Sequence, residues 1–123
     1  MAEHNQLGQA GEEAAKVYLQ SKGYIIMQQN RKTKRGEIDI IAKHRQWLVF
    51  VEVRARGAGQ SGTPEETINR SKKQKLLRNA QSHIFFTGYK GLYRVDAVCI
   101  VFDGPGSVQR LTHYENIVED PLF

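Results

Sequence analysis

Residues 36–56, GEIDIIAKHRQWLVFVEVRAR, constrain this chain more than any other stretch. They hold two apolar runs, 38–42 and 47–53, each rich in β-branched or aromatic residues. His44-Arg45-Gln46 between them reads as a turn, so the pattern predicts two adjacent strands of a hairpin. Into this apolar fabric the chain sets Asp39, Glu52 and Arg54. Side chains alternate along a strand, so Glu52 and Arg54 share a face, and Asp39 can reach that face from the neighbouring strand. A carboxylate inside such a run is costly to desolvate unless it is paired or coordinates a metal. Two of them beside a cation suit a metal site that acts on phosphate. The plainer alternative is a structural pair with Arg54 or Arg56.

The flanking segments supply the layers that would cover such strands. Leu7, Ala10, Gly11, Ala14, Val17 and Tyr18 recur with helical spacing, predicting a helix over about residues 4–22 that stops at Gly23. Gly8 and Gly11 are poor helix formers and are read as close-packing positions. Glu12 lies at the margin of the apolar stripe, either looking into a site or on a solvated face. Tyr24 to Met27 begins a strand that runs out near Asn30, and residues 31–35, RKTKR, follow as a basic loop beside Asp39. The run 47–53 is apolar on both faces, which predicts a central strand covered on each side. ARGAGQSG, 55–62, reads as a mobile loop. Thr63-Pro64-Glu65-Glu66 has a capping-box pattern, so a second helix starts there or near Asn69. Ile68, Leu76, Leu77, Ala80 and Ile84 form its apolar stripe. YRVDAVCIVF, 93–102, is the next strand, and 108–114 reads as an edge strand. The result is one α/β domain, 1–123, with a mixed central sheet of four to five strands between helices, in the order α-β-β-β-α-β.

Lys and Arg number 18 against 13 Asp and Glu, a net charge of +5, which favours a polyanionic partner such as nucleic acid. The candidate phosphate contacts are Arg31, Lys32, Lys34, Arg35, Arg56, Lys72 and Lys73. The single cysteine, Cys99, has no partner for a disulfide and sits in an apolar run, which fits a buried residue in a cytoplasmic protein. No apolar run approaches the roughly 20 residues of a membrane span, and the first residues lack a signal-peptide pattern. His4, His44, His83 and His113 show no zinc-ligand spacing. Asp96 is expected to pair with Arg94 or Arg56. Among the aromatics, Trp47 reads as core or rim, and Tyr89 and Tyr93 lie nearest to basic residues.

The blocks GQAGEEAA, GYIIMQQN, GEIDIIA, FVEVRAR and SKKQKLLRNA resemble, in that order, the motifs of the YraN-like family. That family is related to archaeal Holliday-junction resolvases within the PD-(D/E)xK, or restriction-endonuclease-like, nuclease superfamily. The resemblance covers about residues 7–101 and implies that fold, a Mg²⁺- or Mn²⁺-dependent endonuclease activity, and DNA, duplex or branched, as partner. It implies metal ligation by Asp39, Glu52 and the Val53 carbonyl, a helix-1 glutamate at Glu12, and a polar helix residue near the site at Gln74. Resolvases of this kind work as homodimers, because a junction offers two symmetric strands. Two departures stand out. Ile38 replaces the proline of the motif, and Arg54 replaces its lysine. Arginine stays charged at any working pH and cannot accept a proton, though its forked donors hold phosphate well. Lys43 or Lys72 would then stand in for the missing amine. The alternative is a DNA-binding module that keeps the fold without the chemistry.

Overall fold

The structure, a computed structural model, describes residues 2–120 and 123; the side chains of residues 2–5 fall outside it, so His4 lies outside the described residues. Helix α1, Ala2–Ser21, leads into β1, Ile25–Thr33, β2, Gly36–His44, and β3, Trp47–Gly57. A single 3-10 turn, Pro64–Thr67, precedes α2, Arg70–Thr87; β4, Leu92–Phe102, β5, Val108–Tyr114, and a last 3-10 turn, Ile117–Glu119, complete the chain. The five strands lie in sequence order in one sheet. The β3–β4 pair is parallel and the others are antiparallel, so the sheet is mixed. A parallel pair needs a crossover, and α2 supplies it.

Helix α2 covers one face of the sheet and α1 the other. Leu48 and Phe50 of β3 join Leu76 and Ala80 of α2 in one core, whereas Val49 and Val51 join Ala15 and Leu19 of α1 in the second. That is why β3 is apolar at successive positions. Gly11 lets α1 lie directly on β3, since a Cβ there would stand 2.9 Å from that of Ala55. Gly8 meets no such neighbour. The buried line of α1 is Gly11, Ala15 and Leu19, flanked by Leu7, Ala10, Ala14 and Tyr18. Val17, expected within it, is 57% exposed because it projects to the side of that line.

Three boundaries differ from expectation. Strand β1 carries on through Arg31 and Lys32, which pair with Ile38 and Glu37, so only Lys34 and Arg35 form the turn. Strand β3 carries on to Gly57 because β4 pairs with it to its end. The capping box at Thr63 closes one 3-10 turn only, and α2 is capped by Asn69, whose Oδ1 accepts from the Lys72 N–H at 2.8 Å. Ile68 is therefore buried just ahead of the helix. No helix among the described residues is long and apolar enough to cross a membrane.

Candidate active site

The sheet forks where the acidic residues lie. The β2–β3 ladder runs from His44 opposite Trp47 to Ile40 opposite Val51 and no further. Beyond that point β2 stays with β1, to Gly36 opposite Thr33, and β3 stays with β4, to Gly57 opposite Phe102. The parting leaves the Val53 N–H without a β2 backbone acceptor, and Asp39 Oδ2 accepts from it instead at 2.9 Å. A cavity of about 370 Å³ opens in the fork. Glu12 reaches it from α1, Arg35 from the β1–β2 turn, Asp39 from β2, and Glu52, Val53 and Arg54 from β3. Lys72, Lys75 and Asn79 close it from α2.

Its electrostatics are those of crowded carboxylates under a cationic rim. Burial, and then the charge of Glu52, push Asp39 up to about 8; the Val53 N–H opposes that rise. Burial also raises Glu12, with the charges of Glu37 and Glu52 adding to it and a hydrogen bond with Asn30 working against it. Glu52 is buried and binds Arg54 at 2.9 Å and Lys72 at 3.5 Å. Two polar atoms in the site, Arg54 Nε and Asn79 Oδ1, are buried with no hydrogen-bond partner. Among the described residues, no three His, Cys, Asp or Glu side chains converge as a closed metal cage. The donor set is instead a pair of carboxylates beside a strand backbone.

The fork thus gathers Glu12, Asp39, Glu52, Val53, Arg54, Arg35 and Lys72. Arg31, Lys32 and Lys34 line an adjoining cleft against α2. Other expected residues fall elsewhere. Gln74 is exposed and outside the cavity, because α2 starts at Arg70 and its register puts Lys72, Asn79 and, at the exposed rim, Lys75 on the side of the fork. Lys73 turns to the C-terminal segment, donating to the Asp120 carbonyl at 3.1 Å. Arg56 is half-buried on β3 outside the cavity, and Lys43 is exposed away from it. Lys75 and Asn79 were not foreseen; their spacing of three and seven from Lys72 marks one helix face and was the available signal.

The second buried acid is structural. Asp96 is fully buried and accepts from Arg94 Nε at 3.0 Å and the Asn116 N–H at 2.9 Å, with His113 Nε2 at 2.8 Å. His44 stacks on Tyr24, and His83 packs edge-on against Phe50. Tyr89 donates to the Leu92 carbonyl, Tyr93 packs on Phe50 and Trp47 lies under the Arg94 guanidinium. Cys99 is buried, and burial pushes its thiol up to about 12.

A family model described as "Uncharacterised protein family UPF0102" matches residues 11–100. A UPF0102 protein of Pelotomaculum thermopropionicum is 40% identical over 111 residues, covering 89% of this chain and 92% of the relative. One from Desulforamulus reducens is 41% identical, covering 89% and 93%. One from Bacteroides thetaiotaomicron is 34% identical and covers both chains in full. The family match runs from α1 to β4 and takes in every carboxylate and cation of the fork, and on it the chain belongs to the UPF0102 family.

Proposed function

We propose that this chain is a Mg²⁺- or Mn²⁺-dependent endonuclease that hydrolyses phosphodiester bonds of DNA, branched DNA included. The observation that carries the reading is the pairing of Asp39 with Glu52 in one cleft, where burial and the neighbouring charge keep Asp39 from ionising in the ordinary range. Such a pair is relieved by a divalent cation, and perturbed carboxylates cluster at functional sites. The available donors are hard oxygens: Asp39, Glu52 and the Val53 carbonyl. Mg²⁺ prefers such ligands and keeps several waters, so it needs no closed cage. The unpartnered Asn79 Oδ1 offers those waters an acceptor.

A bound ion would supply a water of lowered pKa and neutralise charge gathering on the phosphate. The chain's own groups do the rest. Arg54 and Lys72, now on Glu52, are the cations nearest the carboxylate pair and would turn to phosphate once a metal takes Glu52. Arg54 holds phosphate oxygens with its forked donors and takes no proton. Lys72, rather than Lys43, is the amine within reach. Glu12, raised by burial, would take the proton of the attacking water. The reading includes the nuclease-superfamily relation, a cytoplasmic location and a homodimer that offers two sites to two strands.

One observation favours a second reading, a DNA-binding module without catalysis. Arg54 already holds the Glu52 oxygen that a metal would need. The two are separated by assaying labelled duplex, single-stranded and four-way-junction DNA with Mg²⁺ or Mn²⁺. Cleavage that Asp39→Ala and Glu52→Ala abolish supports the nuclease. Cleavage that Asp39→Ala leaves untouched removes it. Tight binding without cleavage, in the native protein and in Arg54→Lys alike, leaves the binding module.

A further inference from the structure

Beside the fork lies a second cleft, of about 570 Å³, between the β1–β2 hairpin and the C-terminal half of α2. Its two walls differ in chemistry. One carries Arg31, Lys32, Lys34 and Arg35. The other carries Phe85 and Phe86, which are 89% and 77% exposed, the two most exposed large hydrophobic side chains among the described residues. Two phenyl rings left in water at the end of a helix whose other apolar residues are packed call for an occupant. The occupant must satisfy both walls. An apolar protein face covers the rings but leaves the cations without partners, and an anionic lipid surface meets both walls but gives no reason for the cleft to run on through Arg35 into the acidic fork. A bare polyanion pairs with the cations but leaves the rings in water. A nucleic acid strand with unpaired bases offers phosphates and flat π-faces in alternation, which matches both. A blunt duplex offers only its two terminal pair faces, the inner base faces being already stacked and its bases paired.

We propose that this cleft is a base-stacking subsite, in which Phe85 and Phe86 receive one or two unpaired bases while the hairpin cations hold the intervening phosphates. The inference rests on the nuclease reading and sharpens it. Arg35 lines both the cleft and the fork, so one strand can run from the rings to the carboxylates. The substrate class is then DNA with a single-stranded or splayed segment next to the bond that is cut, such as a tailed or branched end.

The test uses the full chain in EDTA, so that binding is read without cleavage. Three fluorescein-labelled probes are compared by anisotropy: an oligothymidylate, a blunt duplex and the same duplex with a single-stranded tail. Phe85→Ala and Phe86→Ala should each weaken binding of the oligothymidylate and the tailed duplex by about 5- to 150-fold. The blunt duplex should change by less than about twofold, and Phe86→Trp should keep the preference for tails. A 2-aminopurine base in the tail should be quenched by the native protein and not by the alanine variants. Several results overturn the proposal: no binding of the oligothymidylate at low salt, equal losses on all three probes, or no loss on any. It also falls if the phenylalanines govern only self-association in sedimentation, or only binding to phosphatidylglycerol vesicles. The nuclease reading fails separately, through Asp39→Ala cleavage with Mn²⁺ restored. A stacking preference that persists while cleavage ignores Asp39 keeps the subsite and discards the nuclease.

Discussion

Asp39→Asn should make the metal-free protein more stable at pH 8, by a margin that shrinks at pH 5 to about a third of its pH 8 value. Asparagine keeps the shape of the acid, accepts from the Val53 N–H as Asp39 Oδ2 does, and can donate to Glu52. It removes only the charge. The sign follows from proton linkage: the folded state holds the Asp39 proton up to about 8, whereas the unfolded chain releases it near 3.8. Between those values the folded state binds more protons, so stability falls as pH rises and the loss is complete above about 8. At about 1.4 kcal/mol per unit, a rise of roughly four units corresponds to at most about 5–6 kcal/mol. Part of this belongs jointly to Glu52, so the gain from Asn at pH 8 should be about 2–4 kcal/mol. For a chain of this length that is a rise in Tm of roughly 6–16 °C. Thermal unfolding followed by circular dichroism at pH 5 and pH 8, with EDTA, measures it. Adding Mg²⁺ at about ten times its Kd should return about 1.4 kcal/mol to the native protein and nothing to Asp39→Asn. If the two proteins melt in parallel across this range, or Asn is the less stable at pH 8, then the carboxylate pair is not the strained element described above.

Other outcomes follow from the same geometry. Arg54→Lys should raise Mn²⁺-dependent cleavage, while Arg54→Ala should weaken DNA binding by about 1.5–3 kcal/mol, both read on junction and duplex probes. DNA affinity should fall steeply with salt, and Arg31→Ala or Lys34→Ala should each make the log–log slope shallower by about one. Gly11→Val should cost about 2–3 kcal/mol in denaturant unfolding, because the new side chain meets Ala55 and Val53, whereas Gly8→Ala should be neutral or stabilising. Asp96→Ala should cost about 3 kcal/mol, since it takes the buried carboxylate from the partly buried Arg94 and leaves His113 Nε2 and the Asn116 N–H without their acceptor.

The sequence made the centre of the site legible because Asp39, Glu52 and Arg54 interrupt apolar strands, where a charge needs a reason. The fork itself was not legible. How far a ladder runs is decided by which neighbour each strand follows, and nothing in residues 36–40 or 51–57 states that β2 will keep to β1 while β3 keeps to β4. The helix-2 contributors depended on where that helix begins. With the start open between Thr63 and Asn69, one position of register turns a side chain by about 100°, enough to exchange Gln74 for Lys75. Lys73 looked like its neighbour Lys72, but only the C-terminal segment, far away in sequence, settles that it donates to Asp120. Phe85 and Phe86 lie off the stripe of Leu76, Ala80 and Ile84, and their exposure follows: His83 and Ile84, in the same turn, pack on the sheet while the two rings line the hairpin cleft.

The forked sheet has a mechanical side. The hairpin of β1 and β2 is one plate and β3, β4 and β5 are another; their backbones are riveted where Ile40 to His44 face Val51 to Trp47, and beyond that the Asp39–Val53 hydrogen bond and the two helices bridge them. Asp39 and Arg35 ride on the first plate, and Glu52 and Arg54 on the second. The gap between the two carboxylates therefore depends on the twist at the rivet together with the Asp39–Val53 bond that spans the fork. A substitution at Ala42 or Val49, well away from any charge, should alter the opening of these jaws, and under the proposed function a strand of DNA held between the plates would lever on the same joint.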